Sequence, residues 1–396
     1  MQVKGKDRRV FCQTRCGIQA LPTKNHGIRP RRLYLCIMKP VLHNIYDRET
    51  LRRKLAEEPF DRLTISFYKY TPIEDPVAFR NQLFESWQAM GVLGRTYVAH
   101  EGINAQISVP EPAFETFKAA LYAIPFLNGI RLNIAVESKD EAFLKLIIRI
   151  REKIVADGID DPAFDVTQCG PHLDAASFNA MLDRPDAVVV DMRNHYESEV
   201  GHFEGAIRPD VDTFRESLPI VENMLSEHKD KPVLLYCTGG IRCEKASAYL
   251  KHKGFSQVYQ LEGGIIEYTR KAKAQNLPIR FIGKNFVFDD RLGERITEDV
   301  IAHCHQCGAP CDTHTNCVNA RCHLLFIQCA TCAETYHGCC SEVCAEEIQL
   351  PVEVQKTLRK GTNKGANIFK KGRFPRPQDV QGFHPDHIGQ NSLNRI

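Results

Sequence analysis

The hydrophobic pattern predicts a multidomain protein of mixed α/β and α+β class with a parallel sheet in its central domain. Three observations carry this. Short apolar runs at 187–190, 233–236 and 258–261 alternate with amphipathic segments at 213–228, 244–253 and 264–275, as parallel strands linked by helices do. Ahead of them, residues 60–137 read as strand, helix, strand, strand, helix, strand. Behind them, ten of the 16 cysteines fall between Cys304 and Cys344 and mark a separate module. At 396 residues the chain is long enough for two or three domains, each with its own core.

Residues 1–37 hold nine basic residues and one acid without periodicity, and read as a basic extension. The natural start is expected at Met38, with Met1 mis-assigned; an RNA-binding arm is the alternative. From 38 to 137 the elements are a strand at 63–68, a helix opened by Asp75-Pro76, strands at 95–100 and 105–109, a helix at 114–122 and a strand at 130–136. The helix from Asp75 carries apolar Val77, Phe79, Leu83, Phe84 and Trp87. This order is that of a ferredoxin-like fold. His100, Glu101 and Asn104 gather polar groups around Gly102 and are possible substrate-facing residues; a turn held by its own side chains is the other reading. Residues 138–165, charged and then turn-rich, are expected to be a linker.

The segment from Val233 to Cys243 is a buried strand that ends at Cys237, a glycine-bearing loop and a helix entry. A thiol there meets loop N–H groups and the positive end of the helix, which favours the thiolate. Glu244 in the first turn, the apolar Ala246, Tyr249 and Leu250, and Gly254 beyond support the helix. A cysteine phosphatase needs five residues between cysteine and arginine; here Arg242 comes one place early, and the tighter ring suits a sulfur or small oxyanion better. Asp191, at another strand end, is read as orienting backbone.

Cys237-Thr238-Gly239-Gly240-Ile241-Arg242 resembles the active-site loop of a rhodanese domain. The flanking motifs agree: Asp191-Met192-Arg193 with Tyr196-Glu197, then Gly201-His202-Phe203-Glu204-Gly205, then Leu261-Glu262-Gly263-Gly264. The expected rhodanese-like α/β domain spans 166–282. From Met38 to about Leu350 the chain also resembles the bacterial tRNA uridine hydroxylase family. That likeness rests on Thr64-Ile65-Ser66-Phe67-Tyr68, His100-Glu101-Gly102-Ile103-Asn104-Ala105, Asp157-Gly158-Ile159-Asp160-Asp161 and Arg280-Phe281-Ile282-Gly283-Lys284-Asn285. The resemblance implies oxygen-dependent hydroxylation of the wobble uridine at C5, the first step toward 5-carboxymethoxyuridine or 5-methoxyuridine. It implies Cys237 as the catalytic residue, molecular oxygen as co-substrate and a tRNA anticodon loop as partner. The linker's Arg149, Arg151 and Lys153 are then placed near that loop. No oxygen-activating cofactor motif is visible. The alternatives are a persulfide-carrying sulfurtransferase, with Cys243 as a relay, and a non-enzymatic tRNA scaffold.

Residues 283–350 contain two Cys-x-x-Cys knuckles, Cys304/Cys307 and Cys329/Cys332, read as the ligands of a structural zinc. An iron–sulfur cluster and free thiols are the alternatives, and ten thiols suffice for two sites. Residues 351–396 read as a flexible tail, with eight lysines and arginines and no acid between Gln355 and Arg376. Such a tail either touches RNA phosphates or is merely solvated. Overall charge, 52 basic against 49 acidic residues, does not itself announce a nucleic-acid binder. Clustered cysteines, no long apolar run and a poor signal peptide point to the reducing cytoplasm, with neither membrane nor DNA as partner.

Overall fold

The computed structural model describes residues 42, 44, 46–136 and 142–361, all within the unit Val41–Ile396. The basic extension 1–37 and the tail beyond 361 lie outside the described residues.

Helix α1 (Arg48–Ala56) starts at Asp47, whose carboxylate accepts the Thr50 N–H at 2.9 Å. Then follow β1 (Arg62–Tyr70), α2 (Pro76–Ala89), β2 (Leu93–Ala99), β3 (Gly102–Pro110), α3 (Phe114–Tyr122) and β4 (Asn133–Ile134). Asp75 caps α2 through the N–H groups of Val77 and Ala78, and Pro76 sits where no intrahelical donor is needed. Leu83, Phe84 and Trp87 are buried as expected, while Val77 is exposed on the outer face of the first turn. Residues 138–165 were expected to be a linker, yet β5 (Leu146–Ile150) runs parallel to β2 and completes a sheet of order β4-β1-β3-β2-β5. Leu146 and Ile148 fill the same core as Ile107, Trp87 and Phe117, and β5 covers what would otherwise be the open edge of β2. Gly102 opens β3 at φ 145°, where any side chain would collide with the Lys69 carbonyl oxygen, so the tight β2–β3 turn requires glycine.

The central domain has β6 (His172–Leu173), α4 (Ala175–Leu182), β7 (Val188–Asp191), α5 (His195–Ser198), β8 (Gly201–Phe203), α6 (Phe214–Met224), β9 (Val233–Tyr236), α7 (Ile241–His252), β10 (Val258–Leu261) and α8 (Gly264–Ala274). Its main sheet is parallel, in order β6-β10-β9-β7. Strand β9 is buried on both faces. Val233 and Leu235 pack against α6 and α7, whereas Leu234 and Tyr236 pack against α4 and α8. Cys237 continues the first alternation and falls on the α7 side.

Strand β11 (Phe281–Asn285) pairs antiparallel with β8, so a strand crosses the boundary expected between 282 and 283. After β12 (Glu294–Arg295) come the hairpin β13 (His314–Asn316) and β14 (Leu325–Ile327) and helices α9 (Ala330–Thr335), α10 (Glu342–Gln349) and α11 (Val352–Leu358). Helix α11 replaces the first turns of the expected flexible tail. The Gln355 side chain fixes it by donating to the Ile348 and Leu350 carbonyls at 3.0 and 2.8 Å. Among the described residues no helix is long and apolar enough to cross a membrane.

One face of the first sheet packs on its helices. The other turns Ser66, Tyr68, Tyr70, Asn104 and Asn133 toward the central domain. Lys245 of α7, buried, joins the two domains by pairing with Glu101 at 2.8 Å and with Asp157, itself buried. Removing one partner of such a buried cluster leaves uncompensated charge. Lys245→Met is therefore expected to lower unfolding stability by about 3–5 kcal/mol. Urea unfolding monitored by circular dichroism measures this; an unchanged midpoint would show that the cluster contributes nothing.

Candidate active site and metal centre

Cys237 ends β9 fully buried, and its Sγ accepts the Gly240 N–H at 3.2 Å. Gly240 adopts φ 98° at the entry to α7, which turns the loop back on the sulfur. The first turn of α8 holds the loop from outside: the Ile265 and Ile266 N–H groups donate to the carbonyls of Cys237 and Thr238 at 3.1 and 3.3 Å. With these carbonyls anchored outward, loop amides are free to face the sulfur.

Burial opposes ionisation of Cys237. The Cys243 thiol, the Arg242 charge and the N–H groups of Arg242 and Cys243 outweigh it, and the pKa is lowered to about 6. Cys243 shows the converse. Burial, and then the hydrogen bond to the Cys237 sulfur, push its own pKa well up, so it stays a thiol and donates.

Arg242 is also buried and is held by a two-pronged ion pair with Glu197, at 2.6 and 2.8 Å. Glu197 is fully buried at the end of α5 and closes a capping box with Asn194. The Thr238 hydroxyl lies 3.4 Å from both Glu197 and Arg242. Asp191 accepts the Arg193 N–H at 3.0 Å, the guanidinium Nη2 at 2.6 Å and the Tyr236 hydroxyl at 2.8 Å. It thus braces backbone and neighbours beside the loop.

The first domain lies against the loop. Tyr68 donates to Glu244 at 3.0 Å, Tyr70 to the Ile241 carbonyl at 3.2 Å and Asn133 to the Gly239 carbonyl at 3.5 Å. Asn133 Nδ2 and Ser66 Oγ would each stand 3.8 Å from a Cβ on Gly239. Ser66 Oγ and Asn133 Oδ1 are buried without a hydrogen-bond partner among the described residues.

The three residues read as possible substrate-facing groups are spread along the domain junction. Glu101 binds Lys245 and accepts the Ile154 N–H at 2.6 Å; Asn104 donates to the Ile154 carbonyl at 3.3 Å. His100 is exposed, with Nδ1 3.0 Å from the Ile73 carbonyl oxygen. Sequence reasoning gave no role to Glu197, Ser66, Tyr68 or Asn133, and gave Cys243 no part in ionising Cys237. Glu197 left a trace in the Tyr196-Glu197 motif, and Ser66 and Tyr68 in the run Thr64-Ile65-Ser66-Phe67-Tyr68, whereas Asn133 left none.

In the cysteine-rich module, the sulfurs of Cys304, Cys307, Cys329 and Cys332 all lie within 4.8 Å of one another. Cys307 and Cys329 are 3.6 Å apart, and the Cys329 N–H points at the Cys304 sulfur at 3.4 Å. Four thiols converging on one point fit a single tetrahedral metal ion. The two Cys-x-x-Cys pairs singled out in the sequence are thus brought together as four neighbouring thiols.

A low-pKa cysteine at a parallel strand end, ringed by amides and followed by a helix, defines a rhodanese-type domain. Here it is carried between an α+β domain and a cysteine-rich module. Residues 174–271 match the family model for a Rhodanese-like domain, 62–154 that for a UPF0176 acylphosphatase like domain and 282–345 that for Rhodanase C-terminal. The chain is 60% identical over 335 residues to a tRNA uridine(34) hydroxylase of Cronobacter sakazakii, covering 84% of this chain and 96% of the relative. A protein of the same name from Enterobacter sp. is 59% identical over the same shares. A rhodanese-like domain structure from Anabaena sp. aligns with 28% of this chain and 79% of its own, at 23% identity and TM-score 0.23. The chain belongs to the tRNA uridine(34) hydroxylase family.

The pKa of Cys237 sets a testable profile. Its thiolate predominates above about pH 6, so alkylation by iodoacetamide, followed by peptide mass spectrometry, should fall as pH drops through that value. Cys243→Ala removes the S–H donor and should move the midpoint upward. A shift of about one unit or more is expected, since a hydrogen bond to an ion is worth roughly 1.5–3 kcal/mol. An unmoved midpoint would assign the ionisation to the loop amides and Arg242 alone.

Proposed function

We infer that the protein is an enzyme that hydroxylates C5 of uridine 34 in tRNA with molecular oxygen, using Cys237 as its nucleophile. The observation that carries the reading is the sulfur held ionised at the end of β9 in a chain of this family.

C5 of uracil reacts poorly with oxygen unless electron density is raised there. The Cys237 thiolate adds to C6, forming a C–S bond and moving the ring's C5–C6 pair onto C5. Oxygen bonds at C5, the C5 proton leaves, and expulsion of the sulfur restores the ring. One oxygen atom stays on C5, and an external two-electron donor reduces the other to water. Arg242, fixed by Glu197, and the loop amides steady the departing thiolate. The unpartnered Asn133 Oδ1 and Ser66 Oγ suit a uracil edge, the first accepting from N3–H and the second donating to a carbonyl. The base must be unstacked to reach the buried sulfur, which an anticodon loop allows more readily than a duplex does.

The same sheet face supplies a docking surface for the RNA backbone. Alternation along β2 and β5 sets Arg95, Tyr97 and Arg149 on the side that also bears Tyr68 and Asn104, and Arg151 continues the row. Arg95, Arg149 and Arg151 are exposed, and Arg151 lies over the Tyr97 ring at 5.5 Å. This stripe lies two to three strands from β1, roughly 10–14 Å at the usual strand spacing. In the cysteine-rich module, Cys304, Cys307, Cys329 and Cys332 hold a structural zinc, which fixes the knuckles without entering the reaction.

Cys237→Ser should abolish 5-hydroxyuridine in tRNA, measured by nucleoside mass spectrometry, while tRNA affinity is retained; full activity would end the nucleophile assignment. Replacing Arg149 and Arg151 by alanine should weaken tRNA binding and reduce the slope of log affinity against log salt by roughly one per lost phosphate contact. Fluorescence anisotropy across a salt series reads this, and an unchanged slope would remove the stripe from the interface.

A further inference from the structure

A second set of thiols, Cys317, Cys322, Cys340 and Cys344, converges elsewhere in the module, with all four sulfurs within 4.8 Å of one another. We propose that these four residues form a second structural zinc site, so that the module carries two ions, one at each end of the β13–β14 hairpin.

The geometry is that of one ion. Zinc–sulfur bonds of about 2.3 Å in a tetrahedron place the sulfurs about 3.8 Å apart. Cys322 and Cys340 are 3.5 Å apart, and Cys340 and Cys344 are 3.8 Å apart. A cluster of several irons would spread its cysteines further than this, so a single tetrahedral ion fits and a polynuclear cluster does not. An all-thiolate tetrahedron selects zinc over calcium or magnesium, which take oxygen ligands.

Both sites are built alike, although their sequence spacings differ. In the first, Cys304 and Cys307 come from a loop, and Cys329 and Cys332 from the cap and first turn of α9. In the second, Cys317 follows β13 and Cys322 ends the turn from Asn319, while Cys340 and Cys344 flank the start of α10. The N-cap Ser341 accepts the Cys344 N–H at 3.3 Å, and the Cys340 N–H points at the Cys317 sulfur at 3.4 Å. The second of these donors offsets part of the negative charge that four thiolates leave around a divalent ion, and the first fixes the start of α10 that carries Cys344. Arg321 lies beside the set and is itself paired with Glu347.

The site also meets a structural need. The thiols pack with Leu324, Phe326 and Cys339 in a cluster separate from the core that holds the first site. An apolar core this small needs a staple. Helix α10 is anchored there, and α11 docks onto its end through Gln355. Two further cysteines, Cys311 and Cys339, are buried close to the two sets yet belong to neither.

Metal content decides the proposal. Native mass spectrometry and elemental analysis of the full-length wild-type protein should give two zinc ions per chain. Cys322→Ser or Cys344→Ser should leave one, and so should Cys304→Ser, whereas Cys311→Ser and Cys339→Ser should keep both. Cobalt substitution of the wild type should show sulfur-to-cobalt charge transfer at twice the intensity per chain seen in Cys322→Ser. A wild-type protein with a single zinc, or with iron in place of zinc, would overturn the proposal, as would loss of an ion in Cys339→Ser. The wild-type measurement stands even if a variant fails to fold.

Discussion

Negative charge on a fully buried sulfur is the constraint around which the central domain is arranged. Lowering a thiol from an ordinary value of 9.0 to about 6 corresponds to about 4 kcal/mol in favour of the ion, although burial itself opposes ionisation. No single group supplies this. Arg242 is the obvious counter-charge, but its guanidinium is bound to Glu197 through both nitrogens, so much of its field is already answered. The remainder must come from dipoles: the Gly240 N–H, the Cys243 thiol and the first amides of α7. This explains why the loop is so tightly specified. Gly240 must adopt a left-handed conformation to point its N–H inward, and α8 must restrain the Cys237 and Thr238 carbonyls that would otherwise repel the sulfur.

The same constraint accounts for the first domain's position. A sheet with one face on its helices leaves the other to be covered, and here the β1–β4 side of that face covers the loop. It brings hydroxyl and amide groups rather than charges next to the sulfur. Carboxylates would raise the thiol's pKa, and the nearby acids are all answered: Glu244 by Tyr68, His172 and Gln260, Glu101 and Asp157 by Lys245. The β2–β5 side stays open and carries arginines. One pleated surface is therefore divided along the strand order, into a part that covers the cysteine loop and an arginine-bearing part that the proposed function assigns to RNA.

Much of this was legible from local signals. The cysteine loop, the alternation of the central domain and the two Cys-x-x-Cys pairs each occupy a short stretch with its own periodicity or spacing. What was not legible depends on partners distant in sequence. Strand β5 follows a charged segment and declares itself only by pairing with β2, more than forty residues earlier, which is why 138–165 looked like a connector. Glu197 is an ordinary acid until Arg242 arrives 45 residues later. Cys243 has the helix position of a packing residue, and only the loop's curvature brings its thiol to Cys237. Helix α11 was hidden by a basic run whose first turns dock on α10.

The cysteine-rich module is more than an appendage, because its contacts end on the groups that hold Arg242. His305, inside the first knuckle, reaches Glu199 at 2.9 Å, two residues from Glu197 on the same short stretch. Phe288 stacks edge-on against Tyr196 and lies 5.9 Å from the Arg242 guanidinium. Helix α5 has only four residues and little stability of its own, so its position is set by what packs on it. A metal ion held at the knuckle, as proposed, would fix His305, which in turn holds the end of α5 from which Glu197 reaches Arg242. The ionisation of Cys237 would in this way be tied to the proposed metal site through Glu199, α5 and Arg242.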